Sequence, residues 1–442
     1  MLRRDFLVRT GLALGGTLAA ARVRAAAAAA AGPAPAAAPA GLPRLDDWAS
    51  VRAQFNLSRE HANFAGFFLA SHPKPVRDAI EAHRRGLDEN PIGYFFDNVG
   101  RREGEVLAAA AEYLGVSGED IALTDSTTMG LGLLYSGLKL RPGQDVLTTV
   151  HDHYSTDQSL KLRAAKTGAT VRQIALYKNP AEANEPEIVG SIVRALKPHT
   201  RVLAVTWVHS VSGVKLPVRA IADALAPLNA KRAEADRVLL CVDGVHGLAV
   251  DDVTLPDLGC DFFVAGTHKW LFGPRGTGLV WGKPSAWPAA TATIPCFYGP
   301  AYLMWEKVIP PAPIPVGASM SPGGFHSFEH RWALGEAFKF HQRIGKARVG
   351  ARIHALNRQL KEGLRAMKHV TLHTPMDDKL SAGIVCFDVA GLRPNQVVER
   401  LGARKVIATE TPYAVKYARL AANVWNTEQE VERVLTEIRA LA

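Results

Sequence analysis

The chain has 442 residues, of which 48% are hydrophobic, and its formal net charge is +10. This composition is ordinary for a globular protein, and the length suits two domains or one large α/β domain with an appendage. Because the basic residues are scattered, the charge does not predict a nucleic-acid-binding surface, and attraction of an anionic cofactor or substrate is a sufficient use for part of it.

The first segment of the chain is typical of an export signal. The sequence RRDFL at positions 3–7 resembles the twin-arginine motif, and a weakly hydrophobic stretch follows it at 11–21. Residues 25–40 are rich in Ala and Pro, as in a cleavage region and linker. We therefore expect residues 1–40 to lie outside the fold of a periplasmic or exported protein. No later stretch is long and apolar enough to predict a membrane anchor that remains after signal removal.

Strand and helix signals alternate in the middle of the chain. The predicted strands are 121–124, 146–150, 171–176, 201–208, 237–243, 261–265 and 278–281, with helices at 126–138, 156–166, 186–196 and 217–225. This alternation predicts a mostly parallel sheet covered on both faces, whose ligands bind beyond the carboxyl ends of the strands. The residues at those ends that favour a single site are Ser126, His153, His209, Asp243 and Lys269.

The chain beyond the proline-rich stretch 309–315 is predicted to form a smaller α+β domain. Its predicted helices are 332–344, 349–367, 394–401 and a last helix from Thr427 that begins with a capping box, and its predicted strands are 371–373, 382–389 and 417–425. The predicted organisation is a signal and linker at 1–40, an N-terminal segment at 41–110 that packs on both domains, a large domain at 111–310 and a small domain at 311–442.

Two charged residues at successive strand ends predict the chemistry of the site. Lys269 follows the apolar run 261–265, and Asp243 ends the apolar run 238–242. Desolvation and nearby positive charge lower a lysine pKa from its usual value near ~10.4, which is how lysines become Schiff-base formers. A carboxylate on a neighbouring strand end suits a pyridinium nitrogen, so the pair predicts a pyridoxal phosphate (PLP) site. Taken singly, each residue is more typical of a solvated loop lysine or a helix cap.

The motifs DGVH at 243–246 and GTHKW at 266–270 resemble the class V aminotransferase family, over about residues 55–440 and most closely its isopenicillin N epimerase-like branch. The resemblance implies a PLP-dependent transferase fold (fold type I), with a large domain built on a mostly parallel seven-stranded sheet, a smaller α+β C-terminal domain, and a homodimer. It implies that Lys269 holds PLP as a Schiff base and that Asp243 keeps the ring nitrogen protonated.

The resemblance implies further cofactor-binding residues. They are Ser126, Thr127, Thr128, Thr267 and His268 around the phosphate, His153 stacked on the ring, His246 at the phenolic oxygen of the ring, and Ser210 or His209 near that oxygen. Ser126 stands where the family has glycine, and an ordinary Ser/Thr helix cap is the alternative. His151 and His153 would make a metal pair without a third ligand in sequence, and the four cysteines form no CxxC pair, so no metal site is predicted.

Three residues are implied to bind the substrate. Arg419 precedes a Trp-Asn-Thr turn and matches the arginine that binds the substrate α-carboxylate in the family. Asn63 opens a segment, NFAGF, that resembles the Asn-His-Gly-Ser opening of the epimerase-like branch. Arg331 lies in FEHRW, where relatives carry Glu-x-Gly-Thr with a threonine that reaches the phosphate of the partner subunit. Arg331 would replace that threonine or bind an acidic substrate group.

The implied activity is a PLP-dependent reaction at the α-carbon of an amino acid or amino-acid-like substrate, most like isopenicillin N epimerase. A lyase or an aminotransferase is the alternative, since the same core residues serve all three reactions, and an exported PLP-binding protein without catalysis is another. Cysteine desulfurase activity is disfavoured because residues 402–417 contain no cysteine. Epimerisation also needs a second acid on the face away from Lys269, for which His153 and Tyr154 are the candidates.

Overall fold

A seven-stranded sheet forms the centre of the part of the chain that the computed structural model describes, residues 45–442. The predicted export signal and linker at 1–40 lie outside these residues. The strand order is β2-β8-β7-β6-β5-β3-β4, and every neighbouring pair is parallel except those that involve β8. The strands are β1 (Ala62–Asn63), β2 (Ile121–Thr124), β3 (Asp145–Thr149), β4 (Thr170–Ile174), β5 (Thr200–Thr206), β6 (Leu239–Asp243), β7 (Phe262–Gly266), β8 (Gly278–Gly282), β9 (Val370–Leu372), β10 (Val385–Val389), β11 (Val406–Ile407), β12 (Thr409–Glu410) and β13 (Ala418–Leu420).

Helices cover both faces of this sheet, as its continuous apolar strands require. The α-helices of the described residues, including those of the smaller unit, are α1 (Trp48–Ala53), α2 (Lys74–Glu89), α3 (Pro91–Leu114), α4 (Thr127–Gly137), α5 (Tyr154–Thr167), α6 (Glu185–Ala195), α7 (Val218–Asn229), α8 (Leu255–Leu258), α9 (Gly299–Trp305), α10 (Val316–Met320), α11 (Phe328–Ile344), α12 (Lys346–Arg365), α13 (Pro394–Ala403) and α14 (Glu428–Arg439). Strands β2, β3, β5, β6, β7 and β8 are buried along their whole length, whereas the edge strand β4 is polar and partly exposed.

The second, smaller unit is a four-stranded antiparallel sheet in the order β12-β13-β10-β9. Its core is built from β10, β13 and the inner faces of α12, α13 and α14. The pairing of β1 with β11 joins the N-terminal segment to this unit. The capping box predicted at Thr427 is present, since its side chain accepts from Glu430 N and the Glu430 side chain accepts from Thr427 N.

Within residues 311–344, which the sequence assigns to the small domain, α11 packs on α2 and α3 and shares the core of the large sheet through Leu334, Phe338 and Phe340. The domain boundary at residue 311 stays a prediction. The strand predicted at 417–425 ends at Leu420, because Asn426 Oδ1 accepts a hydrogen bond from Asn423 N at 2.8 Å and turns the chain. Between residues 45 and 442, none of the helices combines the length and the apolar character that crossing a membrane requires.

Candidate active site

A cavity of about 150 Å³ opens at the carboxyl ends of the parallel strands, where sheets of this kind bind their ligands. The predicted residues that line it are Ser126, Thr127, Thr128, His153, Ser210, Asp243, His246, His268 and Lys269. Ser155, Thr206 and Val245, which the sequence did not indicate, complete the lining. Five segments far apart in the sequence therefore meet around one space.

A larger crevice of about 940 Å³ lies at the opposite edge of the sheet, near the amino ends of β5, β6 and β7. Its basic lining includes Arg201, which is buried and already donates hydrogen bonds to the carbonyl oxygens of Glu234 and Arg237. The described residues that line this crevice include no histidine, cysteine or tyrosine. The smaller cavity, with its histidines, lysine and buried carboxyl group, is therefore the candidate active site.

The N-terminus of α4 gives one end of the cavity the character of an anion site. Ser126 caps the helix by accepting a hydrogen bond from Met129 N at 3.1 Å, and the N–H groups of Thr127 and Thr128 belong to the first turn, where no helical acceptor exists. Thr127 Oγ1 accepts from Gly266 N at 2.8 Å and fixes the helix start to the end of β7. Ser126 has an extended backbone with φ −169°, so this turn does not need the glycine of the family. Free N–H groups at a helix N-terminus favour a phosphate.

Lys269, His246 and Asp243 meet inside the cavity. Lys269 Nζ lies 2.9 Å from His246 Nε2, and Asp243 Oδ1 accepts a hydrogen bond from Val245 N at 3.1 Å. Burial lowers the pKa of Lys269 to about 8, and it raises the pKa of Asp243 to about 6. Burial and the neighbouring Lys269 also hold the pKa of His246 well below its usual value, so its ring is neutral at pH 7. Partial desolvation therefore prepares the lysine to react as a free amine.

The polar atoms of this cavity fit PLP. Among residues 45–442, His246 Nδ1 and Thr206 Oγ1 are buried without a hydrogen-bond partner, and Thr206 lies beside Asp243 in the register of β5 and β6. The cofactor offers a cationic ring nitrogen for Asp243, an aldehyde carbon for Lys269 and a phosphate for the start of α4. It would thus complement each polar wall of the cavity with a group of matching chemistry.

Asp152, a residue that the sequence did not indicate, positions the neighbouring His153. Asp152 Oδ2 accepts hydrogen bonds from Thr148 Oγ1, Thr149 N and Thr149 Oγ1 at 2.7–2.9 Å, and Asp152 Oδ1 accepts from Thr206 N at 2.7 Å. These bonds join the carboxyl ends of β3 and β5, so His153 emerges at the cavity as the N-cap of α5. The buried carboxylate is a common device for satisfying strand-end N–H groups, but sequence does not reveal its partners.

The histidine pair at 151 and 153 does not form a metal site. His151 stacks on Tyr177 with ring centroids 4.1 Å apart, and its Nε2 accepts from Leu176 N at 3.2 Å. His153 instead lines the cavity, with Nδ1 facing Ser155 N. In the described part of the chain, no group of three histidine, cysteine, aspartate or glutamate side chains is placed to hold a metal ion.

Arg419 lies directly behind Ser210. Its Nη1 donates to Ser210 O at 3.0 Å, Nη2 donates to Glu410 O at 2.8 Å, and Nε donates to Thr409 Oγ1 at 3.2 Å. The guanidinium also lies over the Phe67 ring, 4.9 Å from its centroid. Because a guanidinium has five N–H groups, these bonds leave one on each terminal nitrogen, but the side chain is buried and is not part of the cavity lining.

Four further predicted residues lie outside the cavity lining. The Thr267 hydroxyl is buried against Thr277 and cannot also face the phosphate, and the alternative to Ser210, His209, is fully buried with Nδ1 2.9 Å from Tyr177 Oη. Asn63 Oδ1 accepts from Ala65 N at 2.9 Å, which orders the N-terminal turn. Arg331 Nη2 donates to Asp125 Oδ1 at 3.0 Å, immediately before the anion-binding turn. The substrate-binding roles of Asn63 and Arg331 stay predictions.

Tyr413 is the residue near the cavity that the sequence left unnoticed. Its hydroxyl group lies 2.7 Å from Ser210 Oγ, and its ring is perpendicular to the His153 ring, with centroids 6.1 Å apart. It belongs to the loop between β12 and β13, ahead of Arg419. The sequence signal is one of two tyrosines in a short loop, a feature common in proteins without any catalytic role.

The sequence model of the family described as aminotransferase class-V matches residues 104–434. Isopenicillin N epimerase from Streptomyces clavuligerus is 24% identical over 412 residues, which cover 89% of this chain and 98% of that protein. A probable cysteine desulfurase from Xylella fastidiosa is also 24% identical, over 422 residues that cover 90% of this chain and 96% of the relative. Both relatives thus match the chain over most of its length.

Solved structures of similar proteins share the fold. A C-DES mutant with glycine covalently linked to its PLP cofactor superimposes with a TM-score of 0.79 and 21% identity, covering 88% of this chain and 98% of that one. Cysteine desulfurase from Thermococcus onnurineus NA1, in its apo structure, gives a TM-score of 0.74 and 20% identity, covering 89% of this chain and 97% of that one. At these identities the likeness establishes a common fold and no more.

Proposed function

The chain belongs to the class V aminotransferase family of PLP-dependent enzymes, and from that premise we propose that it epimerises the α-carbon of an amino acid or amino-acid-like substrate. The predicted family, fold class and cofactor are confirmed. One observation carries the proposal: the partly desolvated amine of Lys269 lies 2.9 Å from His246 Nε2, in the cavity that also holds the buried Asp243. Such an amine suits proton transfer at an α-carbon.

The residues that would hold PLP follow from the walls of the cavity. The start of α4, with Ser126, Thr127 and Thr128, would bind the phosphate, and Asp243 would pair with the ring nitrogen. When bound, PLP supplies an electron sink for the electron pair that remains on the α-carbon. His153 would cover one face of the ring.

Lys269 would move the α-carbon proton. Because burial brings its pKa to about 8, a substantial fraction of its amine is unprotonated near neutral pH, as a general base requires. His246 Nε2 lies 2.9 Å from the amine and would orient it through a hydrogen bond. Arg419, with one N–H free on each terminal nitrogen, would bind the α-carboxylate of the substrate.

The cysteines argue against sulfur transfer as the activity. Cys386 is fully buried in β10, where burial raises the pKa of its thiol to about 12. The loop that precedes Arg419 carries Tyr413 and no cysteine. A nucleophilic cysteine must be exposed and deprotonated, and Cys386 is neither. The epimerase from Streptomyces clavuligerus and the probable cysteine desulfurase from Xylella fastidiosa are both 24% identical to the chain, and this chemical argument supports the epimerase.

Product analysis tests the proposal. The purified protein with PLP would be incubated with isopenicillin N and with the proteinogenic L-amino acids and their D-enantiomers, and the products separated by chiral chromatography. We expect at least one probe to give its epimer or enantiomer from either starting configuration. Formation of the oxo acid alone would instead make the enzyme an aminotransferase, and release of ammonia with loss of a side-chain substituent would make it a lyase.

Export and assembly belong to the same proposal. The RRDFL sequence at 3–7 supports export through the twin-arginine pathway to the periplasm or beyond. Replacing both arginines by lysine should retain the protein in the cytoplasm, and unchanged export would contradict this route.

The resemblance to the family supports a homodimer with a small-molecule substrate and no nucleic-acid partner.

A further inference from the structure

Lys269 lines the candidate active site, and Tyr413 contacts two other residues of that lining. Tyr413 Oη contacts Ser210 Oγ at 2.7 Å and its ring stands against His153, whereas Lys269 Nζ contacts His246. His153 and Ser210 follow β3 and β5, but His246 and Lys269 follow β6 and β7. The contacts of Tyr413 and those of Lys269 are thus with different strand ends around the cavity.

The surroundings of Tyr413 suit a group that gives and takes a proton. Burial raises the pKa of Tyr413 to about 12, so its phenol is protonated at neutral pH, while Ser210 and Arg419 act in the opposite direction. Arg419 Nη1 donates to Ser210 O at 3.0 Å, which places a fixed positive charge behind this pair. If the phenol loses its proton, the Ser210 hydroxyl and the Arg419 charge would stabilise the phenolate.

We propose that Tyr413 is the second acid–base group of the enzyme and exchanges a proton with the substrate α-carbon on the side away from Lys269. The inference rests on the proposed epimerase function and names the residue that completes it. When the neutral amine of Lys269 takes the α-carbon proton, the electron pair of the broken C–H bond stays with the substrate. The Tyr413 phenol then supplies the proton of the new C–H bond on the other face.

This exchange balances without any further reactant. Lys269 ends the step as an ammonium and Tyr413 as a phenolate, so one proton has left one face of the carbon and one has arrived on the other. The reaction of the opposite epimer begins from that state and regenerates the first one. Exchange of both groups with solvent also restores the starting protonation.

The two acids that the sequence suggested are less well placed. Tyr154 is 72% exposed, whereas the Tyr413 hydroxyl group contacts Ser210, a residue of the cavity lining. His153 lines the cavity, but burial and the nearby Lys269 and Arg419 lower its pKa. Its ring is therefore uncharged at neutral pH and lacks the extra proton of a cationic imidazole. Tyr413 combines a protonated oxygen with a position at the cavity.

Hydrogen exchange in D₂O distinguishes the roles of the two groups. The probe is the amino acid or isopenicillin N epimer that the wild-type holoenzyme inverts fastest, supplied separately in each configuration and followed by NMR. In Tyr413→Phe we expect inversion to fall on the order of 100-fold or more, the usual effect of losing a positioned acid or base. Exchange without inversion, from the configuration that Lys269 deprotonates, should persist within a few-fold and shows that the variant is folded and holds PLP.

Tyr417→Phe is the matched control, because it removes the same oxygen from the same loop. Its ring stacks on His373 with centroids 3.9 Å apart, outside the cavity, so inversion should be unchanged. An inversion rate in Tyr413→Phe equal to that of the wild-type enzyme would overturn the assignment. Loss of inversion in Tyr154→Phe, with inversion retained in Tyr413→Phe, would also overturn it. A wild-type enzyme that exchanges the proton without inverting the centre would also overturn it, yet leave the α-carbon chemistry intact. A wild-type holoenzyme that exchanges no proton in any probe would refute the proposed function and the assignment together.

Discussion

Lys269 and Asp243 lie in one cavity with opposite charges, yet burial is the largest cause of each pKa shift. Burial favours the neutral form of both groups, and their mutual attraction reduces these shifts without cancelling them. The cofactor-free site therefore holds a more reactive amine and a more basic carboxylate than either residue has in water. In the protein alone, the positive charge that acts on Asp243 is that of Lys269. The cationic ring nitrogen of bound PLP would give Asp243 a second positive partner.

The rate at which cofactor-free protein captures PLP should depend on both groups. Only the neutral amine attacks the aldehyde, so the rate should rise with pH as Lys269 loses its proton near pH 8. The rate should also fall below about pH 6, where Asp243 gains a proton and no longer attracts the ring cation. Stopped-flow absorbance after mixing with PLP measures this profile. An increase only near the ordinary lysine pKa of about 10.4 would contradict the desolvated amine.

At the scale of secondary-structure elements, the strands that end at the site were predictable. Continuous apolar runs close with Asp243 and shortly before Lys269, and β6 and β7 end within about two residues of the predicted positions, the usual scatter of element boundaries. Tyr413 was not predictable. Its loop has no periodic pattern, and its contact with Ser210 spans 203 residues. That contact depends on how the four-stranded sheet sits against the large one.

The predicted boundary at residue 311 shows a similar limit. A proline-rich stretch marks a change of direction, but it does not say which core the following helix joins. The apolar face of α11 packs on α2 and α3, two helices of the N-terminal segment, and shares a core with the large sheet. Helix periodicity reveals an apolar face and leaves its partner open.

The join between β3 and β5 depends on Asp152, so Asp152→Asn should loosen it. Both carboxylate oxygens of Asp152 accept hydrogen bonds from Thr148, Thr149 and Thr206. The asparagine amide would replace one of these oxygens by an NH₂ group, which cannot accept a hydrogen bond, so at least one of these donors would lose its acceptor. We expect a loss of about 1–3 kcal/mol in the free energy of unfolding, together with weaker PLP binding because His153 is adjacent. Urea unfolding and PLP titration measure the two effects.

Asp78→Asn provides the control for this substitution. Asp78 pairs with Lys74 across an exposed helix turn, with both side chains 58% exposed. Exposed pairs of this kind contribute little to stability, so the change should cost less than about 0.5 kcal/mol. Equal destabilisation by the two substitutions would contradict the role given to Asp152.

At the scale of the whole molecule, large apolar side chains remain exposed on the single chain. Phe325 is 85% exposed, Trp305 is 78% exposed and Phe68 is 62% exposed. Exposed aromatic groups of this size are typical of surfaces that bind another protein, and a second copy of the chain fits the proposed homodimer. Light scattering coupled to gel filtration should give about twice the mass of one mature chain, and Phe325→Glu should shift it toward the monomer. A fully active monomer would contradict the dimer.

We propose that Lys269 holds PLP covalently and performs the chemistry at the α-carbon. The most direct test is the visible absorbance spectrum of the mature protein with PLP, followed by borohydride reduction and peptide mass mapping. We predict an absorption band that reduction bleaches, a PLP mass fixed on the peptide that contains Lys269, and loss of both in Lys269→Ala. A label on a different lysine, or an unchanged band in the variant, would contradict the account.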